Sequence, residues 1–270
     1  MTPPEAARGG LAILTVTRND RTGLMATRGT LRAQTEQDFT WVVVDGASTD
    51  GTAEWLRDHG DEMGWWRSAP DTGPFDAMNH ALDAARTLGC EHALFLNAGD
   101  RLAGPDSAAL LRDAVRLHPD ATLLYGDALE RLGDERILLK PSRSHRWAAL
   151  GMFTHHQAML YRIAALTGLR FDDRYAIAAD YAFTLAAMGR GAAVHLPFAI
   201  CVFAPNGLSQ RNPAQGRREQ SLIRRELLGH GPLRETLLQT AQRSATALRR
   251  HFPAAYAKWR FRRAETLFLS

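Results

Sequence analysis

Four short apolar runs constrain this chain more than any other feature. Each ends on polar residues, and stretches of helical period separate them. Leu11 to Thr17 is a nearly continuous run of β-formers and reads as a buried strand, followed by a helical stretch from roughly Asp20 to Gln37. Trp41-Val42-Val43-Val44 is a second run, ending at Asp45-Gly46. Ser48, Thr49 and Asp50 offer capping side chains for a helix reaching about His59. Trp65-Trp66 marks a third strand. Phe75 to Leu88 is helical, with Phe75, Met78, Leu82 and Ala85 at three- and four-residue spacings. His92 to Leu96 is the fourth strand. Strands alternating with helices of this length mean βαβ units: an α/β, Rossmann-like, mostly parallel sheet flanked by helices.

In such sheets ligands bind outside the carboxyl ends of the strands. The rule selects Thr17-Arg18-Asn19, Asp45-Gly46, Asp71-Thr72-Gly73 and Asn97-Ala98-Gly99-Asp100. The last is the most suggestive, because an amide and a carboxylate three positions apart surround a small-residue pivot. The second half of the chain is less regular. Thr122–Asp127, Arg136–Lys140 and His156–Arg162 read as strands and Asp180–Met188 as a helix, while Ala193–Phe203 holds one or two strands around Pro197. Beyond Asn212 the pattern is helical, interrupted at Gly229–Pro232 and at Pro253.

At 270 residues and 45% hydrophobic, the chain suits one large domain, or one domain with an appendage, and can bury a sizeable core. The net charge is only +4, but from Arg211 onward thirteen basic residues face four acids. Such a tail suits an anionic surface, membrane lipid or nucleic acid, and equally a solvated, Arg-rich helical face. Cys90 and Cys201 lie far apart and outside any ligand spacing, which fits a reducing compartment. The N-terminal segment has no secretory pattern, and the longest apolar stretch, 192–204, is broken by His195 and Pro197. The expected location is cytoplasmic, with any membrane contact peripheral.

Several signatures are missing. There is no phosphate-binding Gly-x-x-x-x-Gly-Lys loop, no Gly-x-Ser-x-Gly elbow and no His-Glu-x-x-His helix. Gly189-Arg190-Gly191 precedes a strand instead of following one and reads as a turn. His155 and His156, adjacent on a strand, would face opposite sides, so at most one points into any site. What remains is a nucleotide-diphosphate site built from carboxylates. Acids beside a diphosphate require a divalent cation between them. A Mg2+- or Mn2+-type ion takes one or two carboxylates plus phosphates. Asp100, after the flexible Gly99, is the candidate metal ligand. Asn97 could add an amide oxygen or orient a water.

Several segments now resemble the family 2 glycosyltransferases of the GT-A fold. Val43-Val44-Asp45-Gly46-Ala47-Ser48-Thr49-Asp50-Gly51-Thr52 is similar to the family's second-strand signature. Asp71-Thr72-Gly73-Pro74-Phe75-Asp76-Ala77-Met78-Asn79 resembles the D-x-G-x-[YF]-D-A-M-N segment of its polysaccharide-building, colanic-acid-type members, and Leu96-Asn97-Ala98-Gly99-Asp100 the L-N-S-G-D form of its metal motif. His156-Gln157, Asp180-Tyr181 and Phe203–Ser209 (FAPNGLS) match later landmarks, so the resemblance spans roughly 10–215 in order. Asn97 stands where most of the family has Asp, and Asn206-Gly207 replaces the usual Gly-Gly. The division implied is a flexible N-terminus at 1–9, a GT-A domain at 10–215 (nucleotide-binding half about 10–100, acceptor half about 101–215) and a basic helical extension at 216–270.

The resemblance also implies roles. Asp45 accepts from a uracil or guanine ring N–H; Thr17 and Arg18 lie beside it, with Arg18 on diphosphate or in solvent; and Asp71 seats the base or ribose. Asp76 and Asn79 flank the sugar or support the metal shell, although acids also favour helix starts for the dipole alone. His156 and Gln157 contact diphosphate, metal or acceptor, the alternative for the histidine being a buried, hydrogen-bonded core position. Asp180 is the catalytic base that takes the acceptor hydroxyl proton, since inverting transfer needs one carboxylate and one cation, Mn2+ or Mg2+. The implied activity is transfer from a UDP- or GDP-sugar to a saccharide acceptor, lipid-linked in cell-surface polysaccharide synthesis, with the basic helices against an anionic leaflet. Two other classes fit less of the chain. A sugar-phosphate nucleotidyltransferase should carry a Gly-rich basic loop after the first strand, which Thr17–Gly23 is not. A non-catalytic scaffold or nucleic-acid binder would use the Arg-rich tail over a decayed site, and nucleic acid is the less expected partner.

Overall fold

The computed structural model describes residues 10–131, 137–204, 212–252 and 262–263. Its first half is β1 (Leu11–Thr17), α1 (Arg21–Arg32), β2 (Thr40–Asp45), α2 (Thr52–Asp58), β3 (Trp65–Ser68), α3 (Pro74–Thr87) and β4 (His92–Phe95). β1 runs parallel to β2 on one side and to β4 on the other, and β3 is parallel to β2. Every residue of β1 and β2 is buried because helices cover both faces of the sheet. Ala12, Leu14 and Val16 pack with Ala81 and Leu82 of α3, whereas Leu11 and Ile13 pack with Leu24 and Leu31 of α1. A strand buried on both faces has no reason to alternate apolar with polar, which explains the continuous runs.

The second half adds β5 (Arg101–Leu102), α4 (Ser107–Leu117), β6 (Leu123–Arg131), β7 (Ile137–Lys140), β8 (Met159–Arg162), α5 (Ala179–Met188), β9 (Ala193–Phe203), α6 (Pro213–Leu228), α7 (Pro232–His251) and β10 (Arg262–Arg263). β8 lies antiparallel between β4 and β6. β6 and β9 run parallel, so the carboxyl ends of β1, β2, β3, β4, β6 and β9 share one edge. The parallel pattern expected of the sheet therefore belongs to the first half and to β6–β9, while β5, β7, β8 and β10 pair antiparallel. β9 is a single strand in spite of Pro197. Its register against β6 shifts between Tyr125 and Asp127, a bulge that accommodates a residue without an N–H.

Local details depart from expectation for physical reasons. The first helix ends at Arg32, where the Gln37 side chain donates to Leu31 O at 3.0 Å and Gln34 O at 2.8 Å and satisfies carbonyls a longer helix would have bonded itself. His156 and Gln157 lie in a 3-10 turn, His156–Ala158, ahead of β8 and not within the strand. Ser48 does not cap α2. Its hydroxyl and N–H are taken by Asp45, and Gly51, with φ +88°, begins the helix, while the Asp50 carboxylate accepts from the N–H of Thr52 at 3.1 Å. α4 and β5 carry no sequence expectation. The flexible segment expected at 1–9, Arg136 and most of FAPNGLS (205–209) lie outside the described residues.

α6 and α7 pack back onto the sheet domain. Arg224 and Glu235 form a fully buried ion pair between them, with Arg224 Nε 3.0 Å from Glu235 Oε2. Gln242 Nε2 of α7 donates to Leu150 O at 3.1 Å. Among the described residues no helix is long and apolar enough to cross a membrane.

Candidate active site

The loops after β1, β2 and β3 close on one another around Gly46. A β-carbon built there would stand 2.6 Å from Asp71 Oδ2 and 3.3 Å from Arg18 Cδ, so only glycine lets those two side chains approach. Asp45, the residue before it, is completely buried. Asp45 Oδ2 accepts from the N–H of Ser48 at 3.0 Å and from Ser68 Oγ at 2.7 Å, and Oδ1 accepts from Ser48 Oγ. An ionised carboxylate offers about four lone-pair sites, so three donors leave one for a ligand N–H. Asp71 also accepts from Gly73 N–H at 3.1 Å, which fixes the turn entering α3. Thr17, at the end of β1, is buried with its hydroxyl unpartnered. Asn19 and Ala47 both adopt left-handed backbone, φ +52° and +57°, a local cost of about 1 kcal/mol or more at Ala47. The Asn19 N–H to Ser48 Oγ bond at 2.6 Å and the Thr49 N–H to Asn19 Oδ1 bond at 2.8 Å hold the two loops together.

The second cluster follows β4. Asn97 Oδ1 is buried without a partner, an orphan acceptor that a native interior rarely leaves unexplained. Asp100 is 4% exposed. Burial pushes its carboxyl up to about 7, against hydrogen bonds from Ala204 N–H, at 2.8 Å, and from the Gln157 side chain. Gln157 and Asp100 are thus brought together. Thr27 of α1 organises this turn: its Oγ1 donates to Asp100 O at 2.7 Å and accepts from Gly99 N–H at 3.1 Å. Among the described residues no three His, Cys, Asp or Glu side chains stand together as a metal cage. The groups of this turn that could meet a cation are the Asp100 carboxylate and the orphan Asn97 oxygen. That is about the share a Mg2+- or Mn2+-type ion takes from protein when a diphosphate supplies the remaining oxygens.

His156 is 4% exposed, with both ring nitrogens unpartnered. Its ring stacks on Phe95 at 4.9 Å and meets the edge of Phe171 at 5.6 Å. Burial lowers its pKa to about 3, so the imidazole is neutral. It is a core histidine that lacks the hydrogen bonds such a histidine normally makes.

Asp180 opens α5, half-buried, with Oδ1 accepting from Tyr181 N–H at 2.7 Å. Burial raises its carboxyl to about 6, and the nearby Glu219 charge adds to the rise. A group with that value is ionised at neutral pH yet still basic enough to accept a proton. Asp180 is tied to the β4 region through packing. Thr184, one turn on, hydrogen-bonds Tyr161 Oη at 2.9 Å, and the Tyr161 ring lies 5.7 Å from that of His156.

Asp76 and Asn79 of α3 do not work together. Asp76 Oδ2 accepts from Thr72 N–H at 3.1 Å, and Oδ1 lies 3.7 Å from His80 Nε2. Asn79 is buried, with its amide spent at both ends: Nδ2 donates to Phe171 O and Oδ1 accepts from Phe171 N–H, each at 2.9 Å. Its observed contacts tie α3 to the 171 segment. Their different partners follow from Asn79 facing the core while Asp76 sits in the first turn.

Two important residues carry no expectation from sequence. Glu219 of α6, 7% exposed, accepts the backbone N–H groups of Ala176, Ile177 and Ala178 at 3.2, 2.9 and 2.8 Å, fixing the entry to α5. Thr27 is the other. In both cases the signal is a polar residue at a core-facing helical position: Thr27 between Leu24 and Leu31, and Glu219 between Gly216 and Ile223.

Comparison with known proteins identifies the class. No family model matches the chain. An uncharacterized glycosyltransferase of Mycobacterium tuberculosis is 30% identical over 211 residues, covering 76% of this chain and 79% of the relative. A PGL/p-HBAD biosynthesis glycosyltransferase of Mycobacterium bovis is 29% identical over 187 residues, 64% of this chain and 68% of the relative. Residues 1–349 of S. aureus TarS, solved with UDP-GlcNAc, superpose with a TM-score of 0.61 at 20% identity, over 90% of this chain and 72% of TarS 1–349. The mannosyltransferase PcManGT of Pyrobaculum calidifontis, solved with GDP-Man and Mn2+, gives 0.58 at 18% identity, over 94% and 74%. With a fold shared with the last two and a relative at 30% identity over most of both chains, this chain belongs to the glycosyltransferases.

Proposed function

We propose that the enzyme is an inverting, metal-dependent transferase of the family 2, colanic-acid type, moving a sugar from a UDP- or GDP-sugar to a saccharide acceptor. The observation that carries the reading is the closure of Asp71 and Arg18 over Gly46 beside buried Asp45. This arrangement supports the reading of a carboxylate acceptor for a base N–H beside a guanidinium for a diphosphate, at the edge where α/β sheets bind nucleotides. Asp45 takes the base, Asp71 the base or ribose, and Arg18 with Thr17 Oγ1 the phosphate side. Asn97 and Asp100 would hold a divalent cation, which supplies compensation for the charge developing on the departing diphosphate. Gln157 orients Asp100 through their hydrogen bond.

In the transfer step Asp180 takes the proton of the acceptor hydroxyl. That oxygen bonds to the anomeric carbon as the bond from this carbon to the diphosphate oxygen breaks, and the electron pair leaves with the nucleoside diphosphate. Attack from the face opposite the leaving group inverts the centre. His156, neutral and unpartnered, has hydrogen-bonding capacity for the sugar or diphosphate. Asp76 and Asn79 support this region from α3.

The acceptor proposed is lipid-linked, in cell-surface polysaccharide assembly at the cytoplasmic face. The biosynthetic name of the Mycobacterium bovis relative supports a place in glycoconjugate assembly. Exposed Leu233 and Leu237 on α7, near basic Arg234, support contact of this extension with an anionic leaflet. The test of the donor is a thermal-shift series with UDP- and GDP-sugars, each with Mn2+ and with chelator. A cognate donor at 100 times its dissociation constant stabilises by about 2.7 kcal/mol. No rise in unfolding midpoint with any donor would overturn the reading.

A further inference from the structure

A second concave site lies beyond the nucleotide loops, where the segment after β7 crosses β6 and β9. The pocket has a volume of about 380 Å3 and is lined by Tyr125, Ser142, Arg143, His145, Arg146 and His195, among others. Buried Tyr125 forms its floor. The Tyr125 hydroxyl accepts the backbone N–H of His145 at 3.1 Å and lies 3.1 Å from Nδ1 of the same residue. The backbone N–H donates to the hydroxyl oxygen, and a further hydrogen bond between that hydroxyl and Nδ1 holds the His145 ring edge-on to Tyr125. The His195 ring lies 5.3 Å from the Tyr125 ring, so the two imidazoles flank the tyrosine.

The charge of this pocket is one-sided. Among the described residues the acid beside it is Asp127, already engaged: its Oδ1 accepts from Ser142 N–H at 2.7 Å and Ser142 Oγ at 3.0 Å and stands 3.6 Å from His195 Nε2. Against it stand two guanidinium groups and two imidazoles. Arg143 is anchored in the wall, its Nη2 donating to Met152 O at 2.6 Å and its backbone N–H to Phe153 O at 2.7 Å. The exposed Arg146 guanidinium makes no hydrogen bond or ion pair among the described residues. One anchored guanidinium and one exposed, uncommitted guanidinium beside two imidazoles suit an oxyanion with several oxygens. A concave wall of one sign also concentrates such a ligand locally.

We propose that this pocket binds a phosphoryl group, a phosphate ester or diphosphate whose oxygens accept from Arg143, Arg146, His145 and His195. The site does not rest on the transfer reading. Trp147, next to Arg146 and 60% exposed, is the type of side chain found at a lipid–water boundary, so the phosphoryl group can come from a lipid head group or from a soluble phosphoester.

The experiment is phosphorus-31 line broadening and calorimetric titration of the full chain with inorganic phosphate in the presence of EDTA, at physiological salt. Co-sedimentation with phosphatidic acid vesicles runs in parallel. The variants are Arg146→Gln and His195→Gln, both at exposed side chains, with the thermal midpoint as a check on folding. Expected is phosphate binding by the wild type that weakens about tenfold in Arg146→Gln at an unchanged midpoint. Vesicle sedimentation lost in the same variant assigns the lipid source; phosphate binding without sedimentation assigns the soluble one. Absence of both, or phosphate binding identical in wild type and both variants, would overturn the site.

Discussion

Glu219 on α6 accepts the backbone N–H of Ala178 at 2.8 Å, two residues before Asp180 at the start of α5. With Ala176 and Ile177 bonded to the same carboxylate, one acid from the C-terminal helices sets the backbone from which the proposed base projects. Glu219 also faces Asp180 electrostatically, and its charge helps to raise the Asp180 carboxyl. Glu219→Gln replaces one accepting oxygen with a donor that confronts N–H groups. The variant should lose about 1–3 kcal/mol of stability, read from chemical denaturation. Removing the like charge should also move the acidic limb of its rate profile to lower pH. A variant with lower stability but an unmoved limb would leave Glu219 a purely structural residue.

Asp180 itself has a sign that can be worked through. Burial raises its carboxyl to about 6, so a base in that position is active above pH 6, and kcat/KM should fall about tenfold per unit below it. The same shift means that the folded protein binds a proton more readily than the unfolded chain. Stability supplied by the neutral form is present below the unfolded value near 3.8 and is lost as pH rises to about 6. Asp180→Asn is held neutral and keeps it. The variant should lose 10²–10⁴-fold in kcat, yet at pH 7 be more stable than wild type by on the order of 1–2 kcal/mol, allowing for its partial exposure. Activity assays and urea unfolding at pH 4 and pH 7 separate the two effects.

The first half of the fold was legible because its strands are buried on both faces: Leu11–Thr17 and Trp41–Val44 could be little else, and the polar residues after them had to sit at the carboxyl edge. The gathering of Thr17, Arg18, Asp45 and Asp71 followed from topology alone. What escaped the sequence depends on partners distant along the chain. Ser48 looks like a helix cap until Asp45 claims its hydroxyl, and no local pattern shows that Phe171, 92 residues away, holds both ends of the Asn79 amide. Glu219 lies past the point where the family resemblance stops, so its hold on residues 176–178 could not be read from local pattern. The antiparallel β8 escaped for a related reason: a short strand preceded by a 3-10 turn carries no directional signal.

Gly46 offers a test of the nucleotide pocket that leaves every polar group in place. A methyl group there would sit 2.6 Å from Asp71 Oδ2, and the Gly73 N–H bond restrains how Asp71 can retreat. Gly46→Ala should therefore weaken UDP or GDP binding by about tenfold or more, measured by calorimetry, with a loss of stability below about 2 kcal/mol. Asp71→Ala in the same background should add little, because the two changes displace the same contact. Additive losses would show that Asp71 acts elsewhere.

The cation contact can be probed at the position where this chain departs from its resemblance. Asn97 Oδ1 is buried and unpartnered, and Asp100 is already held near neutrality by burial. Asn97→Asp places a second carboxylate into the same turn. In chelator the two acids repel, and the variant should unfold earlier than wild type by about 1–3 kcal/mol. Mn2+ without nucleotide should raise the variant's midpoint more than the wild type's, since two carboxylates bind a hard cation more tightly than a carboxylate and an amide. The measurement is a pair of thermal melts for each protein, in EDTA and in Mn2+. Equal Mn2+ shifts in both proteins would mean that the cation is held away from Asn97 and Asp100, and that the amide at residue 97 serves the sugar instead.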